Sequence, residues 1–203
     1  MTTIVYLHGF RSSPQSVKAT QLGSAVGALP AAIRPRLFVP TLHHRPATAI
    51  ADVAAWIDRE VGTAGLPALT LVGSSLGGYY ATALAERYGV RAALINPAVR
   101  PYDDLQPYVG TQQNLYTGES FEVTAAHFAE LRALAVSRVT RPERYLLLVQ
   151  SGDEVLDYRE AVALYRGAWQ YVEGGGDHSF QGFVAQIPVI LRFAGALPGS
   201  FGK

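Results

Sequence analysis

The sequence lacks the residues on which several classes of site depend. It contains no cysteine, one methionine and two tryptophans among 203 residues. Without cysteine, the chain has no disulfide bond, no thiolate metal site and no cysteine nucleophile. It also lacks an excess of either charge, because 17 lysines and arginines balance 16 aspartates and glutamates and leave a formal net charge of +1. We therefore expect no strong field for nucleic acid or an anionic membrane surface.

Long apolar segments are also missing. The first strand-like run, Ile4–Leu7, has neither the basic region nor the apolar core of a signal peptide before it. No apolar run reaches the length needed to span a membrane. Together with the absence of cysteine, this pattern predicts a cytoplasmic protein that is not inserted into a membrane.

The residues that are present predict a compact α/β protein. Apolar residues make up 49% and charged residues 16% of the sequence, and 203 residues fit a single domain over residues 1–203. Near-continuous apolar runs typical of buried parallel strands alternate with amphipathic runs typical of helices. The predicted strands are 3–7, 36–39, 68–72, 91–95, 144–150 and 169–172. The predicted helices are 14–28, 47–61, 76–88, 121–135, 158–167 and 180–194.

Capping residues indicate some of the helix ends. Ser13 followed by Pro14 predicts the start of the first helix, with the serine as N-cap and the proline at the first helical position. Gly89 predicts the end of the third helix, in the left-handed conformation. The tail 198–203 is predicted to fray.

One long connection interrupts the alternation of strands and helices. The segment 96–120 contains three prolines and three tyrosines, and it leaves the carboxyl end of the strand at 91–95. Open α/β sheets bind ligands at that edge, and connections of this length are uncommon unless they are functional. We interpret 97–135 as a small cap over the site. The alternative is a surface loop followed by an ordinary layer helix.

The motif Gly73-Ser74-Ser75-Leu76-Gly77 lies between a predicted strand and a predicted helix. This is the G-x-S-x-G turn that raises a serine hydroxyl above a sheet, with glycines where side chains would collide. Ser75 is therefore the candidate nucleophile of a serine hydrolase. The alternative, a phosphate-binding loop, is disfavoured because no lysine follows in the G-K-[ST] manner.

A serine nucleophile needs a histidine base, and in enzymes with this motif the histidine comes last in the chain. Only His127 and His178 follow Ser75. His178 lies in a glycine-rich turn between the last predicted strand and the last predicted helix, which is the catalytic end of the sheet. His127 is interpreted as a residue on the solvent face of a helix. We therefore assign the base to His178.

The base also needs an acid. Asp153 follows the strongest predicted strand at its carboxyl end, and we prefer it as the third member of the triad. Three other carboxylates are alternatives for this acid. Asp157 is placed to cap the next helix, and Glu154, next to Asp153, is interpreted as a charge at the rim of the site. Asp177 adjoins His178 in sequence, where its side chain would usually point away from the imidazole.

Two backbone N–H groups are expected to bind the oxyanion. One belongs to Leu76, which follows the nucleophile at a helix start, and the other to Phe10 in the loop after the first strand. His8 in that loop is predicted to hold it by hydrogen bonds rather than to bind a metal. His43 and His44 are adjacent and diverge, so we predict no metal site.

Five motifs in chain order resemble the YqiA-type esterases, which are small bacterial members of the α/β-hydrolase superfamily. They cover almost the whole chain and are His8–Pro14, Gly73–Tyr79, Asn96–Ala98, Ser151–Tyr158 and Gly175–Phe180. The resemblance implies an α/β-hydrolase fold with a minimal, mostly parallel sheet of about six strands and helices on both faces. It also implies hydrolysis of carboxylic esters or acyl thioesters, with Ser75, Asp153 and His178 as the triad.

These observations predict a serine esterase that cleaves esters of small to medium acyl groups without a metal or cofactor. Its predicted partner is therefore a small acyl ester or thioester. Two alternatives remain open: an acyl-CoA thioesterase, and a non-catalytic binding protein with the same fold. Apolar residues near the site are expected to line the substrate pocket. They are Tyr79, Val155, Phe180, Tyr102 and Tyr116.

Overall fold

A computed structural model describes residues 1–199, so the prediction for tail residues 200–203 lies outside the described part of the chain. Six parallel strands form the main sheet in the order β2-β1-β3-β4-β7-β8, and two antiparallel strands form a separate hairpin. The strands are β1 Thr3–Leu7, β2 Arg36–Phe38, β3 Leu69–Ser74, β4 Arg91–Ile95, β5 Gly110–Gln113, β6 Ser120–Val123, β7 Tyr145–Gln150 and β8 Trp169–Glu173.

Helices separate most of the strands along the chain. The α-helices are α1 Val17–Gly27, α2 Pro46–Glu60, α3 Gly62–Gly65, α4 Leu76–Tyr88, α5 Pro101–Asp104, α6 Ala125–Ala133, α7 Tyr158–Leu164 and α8 Phe183–Phe193. Short 3₁₀ turns lie at Leu66–Ala68, Gln106–Tyr108 and Pro142–Arg144. Among the described residues, no helix has both the length and the apolar character needed to cross a membrane.

The sheet lies between two layers of helices, as predicted. All residues of β1, β3 and β7 are buried, which explains why these strands are near-continuous apolar runs. Helices α1 and α8 pack on one face of the sheet, and α2, α4, α6 and α7 pack on the other. The carboxyl ends of the parallel strands therefore meet at one edge of the sheet, as a site of the predicted kind requires.

The predicted start of the first helix is wrong by three residues. The Ser13 hydroxyl accepts a hydrogen bond from the Gln15 N–H at 3.1 Å, and the Ser13 carbonyl accepts one from the Ser16 N–H at 3.0 Å. Ser13 therefore closes a turn, and α1 begins only at Val17. The predicted end of α4 at Gly89 is confirmed, with φ +67° at that glycine.

The predicted helix 121–135 is also wrong at its start. Residues 120–123 form β6, which pairs with β5 in an antiparallel hairpin, and the helix α6 begins only at Ala125. Alternate residues of β5 and β6 are exposed, so the pair resembles neither a buried strand nor a long amphipathic helix. The interpretation of 97–135 as a cap remains a prediction.

The tip of this hairpin is fastened to the loop that follows β1. The Arg11 Nε–H donates a hydrogen bond to the Gln113 carbonyl at 2.9 Å, and the Leu115 N–H donates one to the Arg11 carbonyl at 2.8 Å. The Asn114 side-chain amide donates another to the Ser12 carbonyl at 2.8 Å. The hairpin therefore crosses the carboxyl edge of the main sheet beside the candidate site.

Candidate active site

Ser75 lies in the strained turn between β3 and α4. Its backbone has φ +55° and ψ −124°, a conformation that side chains rarely adopt. The turn closes tightly, because a Cβ on Gly73 would lie 2.3 Å from the Gly77 carbonyl oxygen. A Cβ on Gly77 would lie 2.0 Å from the Leu7 carbonyl oxygen. Both motif glycines are therefore required by backbone packing, and the turn presents the serine hydroxyl at the edge of the sheet.

His178 lies within hydrogen-bond distance of this hydroxyl. The His178 Nε2 is 3.1 Å from the Ser75 Oγ, although 103 residues separate the two in sequence. The side-chain amide of Asn96, at the end of β4, donates hydrogen bonds to the carbonyls of Asp177 at 3.0 Å and His178 at 3.3 Å. This amide fixes the turn that carries the imidazole.

Asp153 lies on the other side of the imidazole. The His178 Nδ1 is 2.9 Å from Asp153 Oδ2 and 3.0 Å from Oδ1, and the Asp153 side chain is only 2% exposed. Oδ1 also accepts the backbone N–H groups of Val155 at 2.9 Å and Leu156 at 2.8 Å. A carboxylate only accepts hydrogen bonds, so the proton lies on Nδ1 and the lone pair of Nε2 faces Ser75.

The three alternative acids have other partners. Asp157 caps α7 by accepting the Arg159 N–H at 3.0 Å, and it also forms an ion pair with the Arg159 side chain. Glu154 accepts the backbone N–H of His178 at 3.0 Å, and Asp177 accepts the Gln181 side-chain amide at 2.9 Å. Among residues 1–199, Asp153 is the only carboxylate bonded to the imidazole ring.

The loop after β1 lies directly against the candidate nucleophile. A Cβ on Gly9 would lie 3.3 Å from Ser75 Cβ and 3.7 Å from its Oγ, so the loop packs close to the hydroxyl. Neither the Phe10 N–H nor the Leu76 N–H donates a hydrogen bond to any other described residue. Leu76 is the first residue of α4, where the helix dipole favours negative charge. Both groups remain the candidate oxyanion donors.

His8 holds this loop by hydrogen bonds, as predicted. Its Nε2 accepts the Leu42 N–H at 3.3 Å, and its Nδ1 is 3.1 Å from the Gly9 carbonyl, which requires the proton to lie on Nδ1. The side chain is buried, and burial lowers the pKa of His8 below its ordinary value. His8 is therefore a neutral support of the loop.

The prediction that His127 lies on a solvent face is wrong. It is 5% exposed, and its Nδ1 accepts the Thr124 N–H at 3.1 Å at the start of α6. Its Nε2 then carries the proton and donates it to His44 Nδ1 at 3.2 Å. Burial lowers the pKa of both His127 and His44. Within the described part of the chain, no group of three histidine or carboxylate side chains is placed to hold a metal ion.

Two cavities meet at Ser75. The large cavity has a volume of about 470 Å³ and extends toward α1 and the start of α8. The small cavity has a volume of about 220 Å³ and extends toward α5 and the Asp153 loop. Four residues line both, and they are Phe10, Ser75, Leu115 and His178. Leu115, at the tip of the β5–β6 hairpin, is therefore one of the residues at which the two cavities meet.

The structure places three of the five predicted pocket residues in these cavities. Tyr116 and Phe180 line the large cavity, and Val155 lines the small one. Tyr79 lines neither cavity, because α4 turns it into the core, where its hydroxyl donates a hydrogen bond to the Leu131 carbonyl at 2.7 Å. Tyr102 lines neither, because its ring packs under the Arg132 guanidinium.

Sequence reasoning missed other residues that line the cleft. Leu115 was hidden because only the hairpin brings it into the walls of both cavities. Asp104 lines the small cavity, where burial, with the charge of Glu160, raises the pKa of Asp104 to about 6. For Lys18 the sequence favours a solvated surface charge over a group that binds a phosphate, and the structure instead places it in the wall of the large cavity. No local motif marks these positions, although the long connection 96–120 indicated the region of the first two.

Known proteins resemble this chain in both sequence and structure. The sequence model of the Uncharacterised protein family (UPF0227), which is the YqiA-type family, matches residues 3–195. A protein from Agrobacterium vitis S4 with a provisional hydrolase designation has a similar structure, with 19% identity, TM-score 0.75, and coverage of 95% of this chain and 87% of that chain.

Two similar structures carry esterase names. Est1E from Butyrivibrio proteoclasticus, solved with ferulic acid bound, has 14% identity and TM-score 0.69 over 95% of this chain and 88% of its own. The esterase domain of a Rhodothermus marinus protein has 19% identity and TM-score 0.68 over 95% of this chain and 86% of its own. At such identities the likeness shows the fold, and the predicted α/β-hydrolase fold is confirmed.

Proposed function

The chain belongs to the Uncharacterised protein family UPF0227, and we propose that it is a serine hydrolase that cleaves carboxylic esters of small to medium acyl groups. One observation carries the proposal: the imidazole of His178 lies between the Ser75 hydroxyl at 3.1 Å and the Asp153 carboxylate at 2.9 Å. A serine hydroxyl, a base and an orienting acid in this geometry form an activated nucleophile.

In the proposed first step, Ser75 attacks the ester carbonyl carbon. His178 Nε2 takes the hydroxyl proton as the new C–O bond forms, and the carbonyl π electrons move to the oxygen. Asp153 stabilises the imidazolium through the hydrogen bond at Nδ1. The backbone N–H groups of Phe10 and Leu76 bind the oxyanion, and each such donor typically lowers the barrier by about 3 kcal/mol.

The tetrahedral adduct then collapses to an acyl-enzyme. The C–O bond to the alcohol breaks, and the imidazolium of His178 returns its proton to the departing oxygen. A water molecule next attacks the acyl-serine with His178 again as base. Release of Ser75 as the leaving group yields the carboxylic acid and restores the free enzyme, so the cycle as written balances without a further reactant.

The two cavities suggest how an ester lies in the cleft. The small cavity is lined mainly by apolar side chains that include Pro101, Leu105 and Val155, and its volume of about 220 Å³ suits a short to medium acyl chain. The large cavity has more polar walls and would take the alcohol part. Leu115 and Ser75 line both cavities, so the ester bond would lie where the two cavities meet. The esterase names among the structural neighbours support the same class of reaction.

Turnover of a series of p-nitrophenyl esters tests this proposal. Wild-type protein is expected to hydrolyse the short and medium acyl esters, and Ser75→Ala is expected to lose this activity while it keeps its melting temperature. Ser137→Ala, an exposed serine remote from the cleft, is the matched control and is expected to keep wild-type rates. Equal rates in wild type and Ser75→Ala would contradict the proposal.

A further inference from the structure

We infer that Lys18 is the binding group for an anion, a carboxylate or a phosphate, on the alcohol part of the ester. The inference rests on the proposed function and deepens it, because it names the class of leaving group that the large cavity takes. It is carried by the position of Lys18, by its lack of a direct ion-pair partner and by the helix start around it.

Lys18 is close to the candidate catalytic residues. It lies in the first turn of α1 and lines the same cavity as Ser75 and His178. Its ammonium group donates one hydrogen bond, to the Ser179 carbonyl at 2.8 Å. Because Ser179 directly follows His178 in sequence, this bond fixes the ammonium group beside the turn that carries His178.

The charge of Lys18 is only partly compensated. Within residues 1–199, its ammonium group forms no ion pair with a carboxylate within 4.0 Å. Burial lowers the pKa of Lys18, and the more distant charges of Asp177 and Asp153 act in the opposite sense. An ammonium group has three donors, and this one uses a single donor within the described protein. A partly desolvated cation of this kind favours an anionic ligand.

The start of α1 adds to the positive potential of the same cavity. Ser16 precedes this helix of 11 residues as its N-cap, yet its side chain makes no capping hydrogen bond. The Ser16 hydroxyl is buried and has no hydrogen-bond partner in the described structure. Ser16 and Val17 both line the large cavity, so the uncapped helix start lies at its wall. The partial positive charge of a helix start favours an anion there.

The other cations near the cleft lie outside the large cavity. Arg11 lines the small cavity, and its Nε–H holds the Gln113 carbonyl of the hairpin. Arg100 pairs with Glu160 on α7. Lys18 is the only lysine or arginine that lines the large cavity within residues 1–199. Lys18 and Ser75 line the same cavity of about 470 Å³, so one ester molecule in it contacts both walls.

Equilibrium binding tests the inference without requiring turnover. In a Ser75→Ala background, calorimetry measures the binding of phenyl phosphate, phenylacetate and the neutral 2-phenylethanol. Lys18→Met is expected to weaken binding of at least one anion about tenfold, as for loss of a charge-assisted hydrogen bond, and to affect the neutral probe less. The comparison of phosphate with carboxylate identifies the preferred anion. Arg138→Met, an exposed cation remote from the cleft, is the control and is expected to change nothing.

The inference would be overturned if Lys18→Met bound both anions as tightly as the protein that keeps Lys18. It would also be overturned if the protein that keeps Lys18 bound neither anion more tightly than the neutral probe. Lys18→Arg is expected to restore part of the preference, since it keeps the charge.

A turnover experiment separates this inference from the proposed function. The substrates are phenyl butyrate and 4-carboxyphenyl butyrate, and the readout is the ratio of their kcat/KM values. Lys18→Met is expected to lower the ratio of the anionic to the neutral ester about tenfold. If Lys18 only positions the His178 turn, kcat for both esters falls equally and the ratio stays constant, which refutes the inference. If neither ester is turned over, the proposed function fails, and the binding experiment still decides the role of Lys18.

Discussion

Replacing Asp153 by asparagine is expected to destroy the base while it leaves the fold intact. Asp153 Oδ1 accepts two backbone N–H groups, from Val155 at 2.9 Å and Leu156 at 2.8 Å. An asparagine satisfies these donors only with its carbonyl oxygen at the Oδ1 position. Its NH₂ group then occupies the place of Oδ2, which lies 2.9 Å from His178 Nδ1.

The NH₂ group only donates hydrogen bonds, so it favours the tautomer of His178 in which Nδ1 is the acceptor, in competition with the carbonyl oxygen at the Oδ1 position, which lies 3.0 Å from Nδ1. The proton then lies on Nε2, which faces the Ser75 hydroxyl and can no longer take its proton. The same substitution in a characterised serine protease triad lowers kcat about 10⁴-fold, which corresponds to about 5 kcal/mol in the barrier. We expect a loss of this order in Asp153→Asn.

The assay is kcat for a p-nitrophenyl ester near neutral pH, together with thermal unfolding. Asp157→Asn is the matched control, because Asp157 caps α7 and bonds to Arg159 but does not contact the imidazole. It is expected to lower the melting temperature modestly and to leave kcat close to wild type. A well-folded Asp153→Asn variant that keeps most of its kcat would show that Asp153 does not orient His178. A large loss of kcat in Asp157→Asn would show that Asp157, and not Asp153, is the acid of the triad.

Three further changes test the structure around the site. Gly77→Ala forces a Cβ to 2.0 Å from the Leu7 carbonyl oxygen, so the free energy of unfolding in urea is expected to fall by about 3 kcal/mol or more. Gly23→Ala in α1 is the control, and its free energy of unfolding is expected to stay unchanged or to rise. Asn114→Ala removes the hydrogen bond that fastens the hairpin to Ser12, and kcat/KM is expected to fall about fivefold. An unchanged kcat/KM would show that the hairpin does not support the loop after β1, which carries Phe10. Burial lowers the pKa of His8 and His127 in the folded chain, so the unfolded chain binds more protons below its ordinary histidine pKa of about 6.5. The stabilisation that depends on His8 and His127 is therefore expected to be fully present above that pH and to be lost toward about pH 5, while Asp104, whose pKa is raised to about 6, acts in the opposite sense. The histidine contribution is therefore read from the difference between two proteins: the free energy of unfolding is expected to fall more in wild type than in His127→Asn between pH 7 and pH 5, and an equal change in both would contradict this.

The main sheet was predictable because its strands are buried on both faces. Runs such as Leu69–Val72 and Tyr145–Gln150 contain almost no polar residues, and a buried parallel strand leaves such a run in the sequence. The turn at Ser75 was predictable for a related reason, since its glycines are fixed by local backbone contacts. Features that depend on short-range packing are therefore visible in the sequence.

The hairpin and the surroundings of His127 depend on contacts between distant residues. Residues 120–123 form a strand only because they pair with 110–113, and half of their side chains remain exposed. His127 is buried because His44, 83 residues earlier in the chain, lies against it. Nothing in the sequence next to His127 indicates this partner. The direction of Tyr79 into the core was equally hidden, since α4 is buried around most of its circumference.

Labelling with a fluorophosphonate, followed by peptide mass mapping, shows whether Ser75 is an activated nucleophile. We expect covalent modification of the peptide that contains Ser75, at that serine alone, and no labelling of Ser75→Ala. The labelling rate would also fall strongly in Asp153→Asn, because the proton of His178 would lie on Nε2, where it faces Ser75. Folded wild-type protein that does not react, or that reacts at another serine, would contradict the claim that Ser75, His178 and Asp153 form an activated nucleophile.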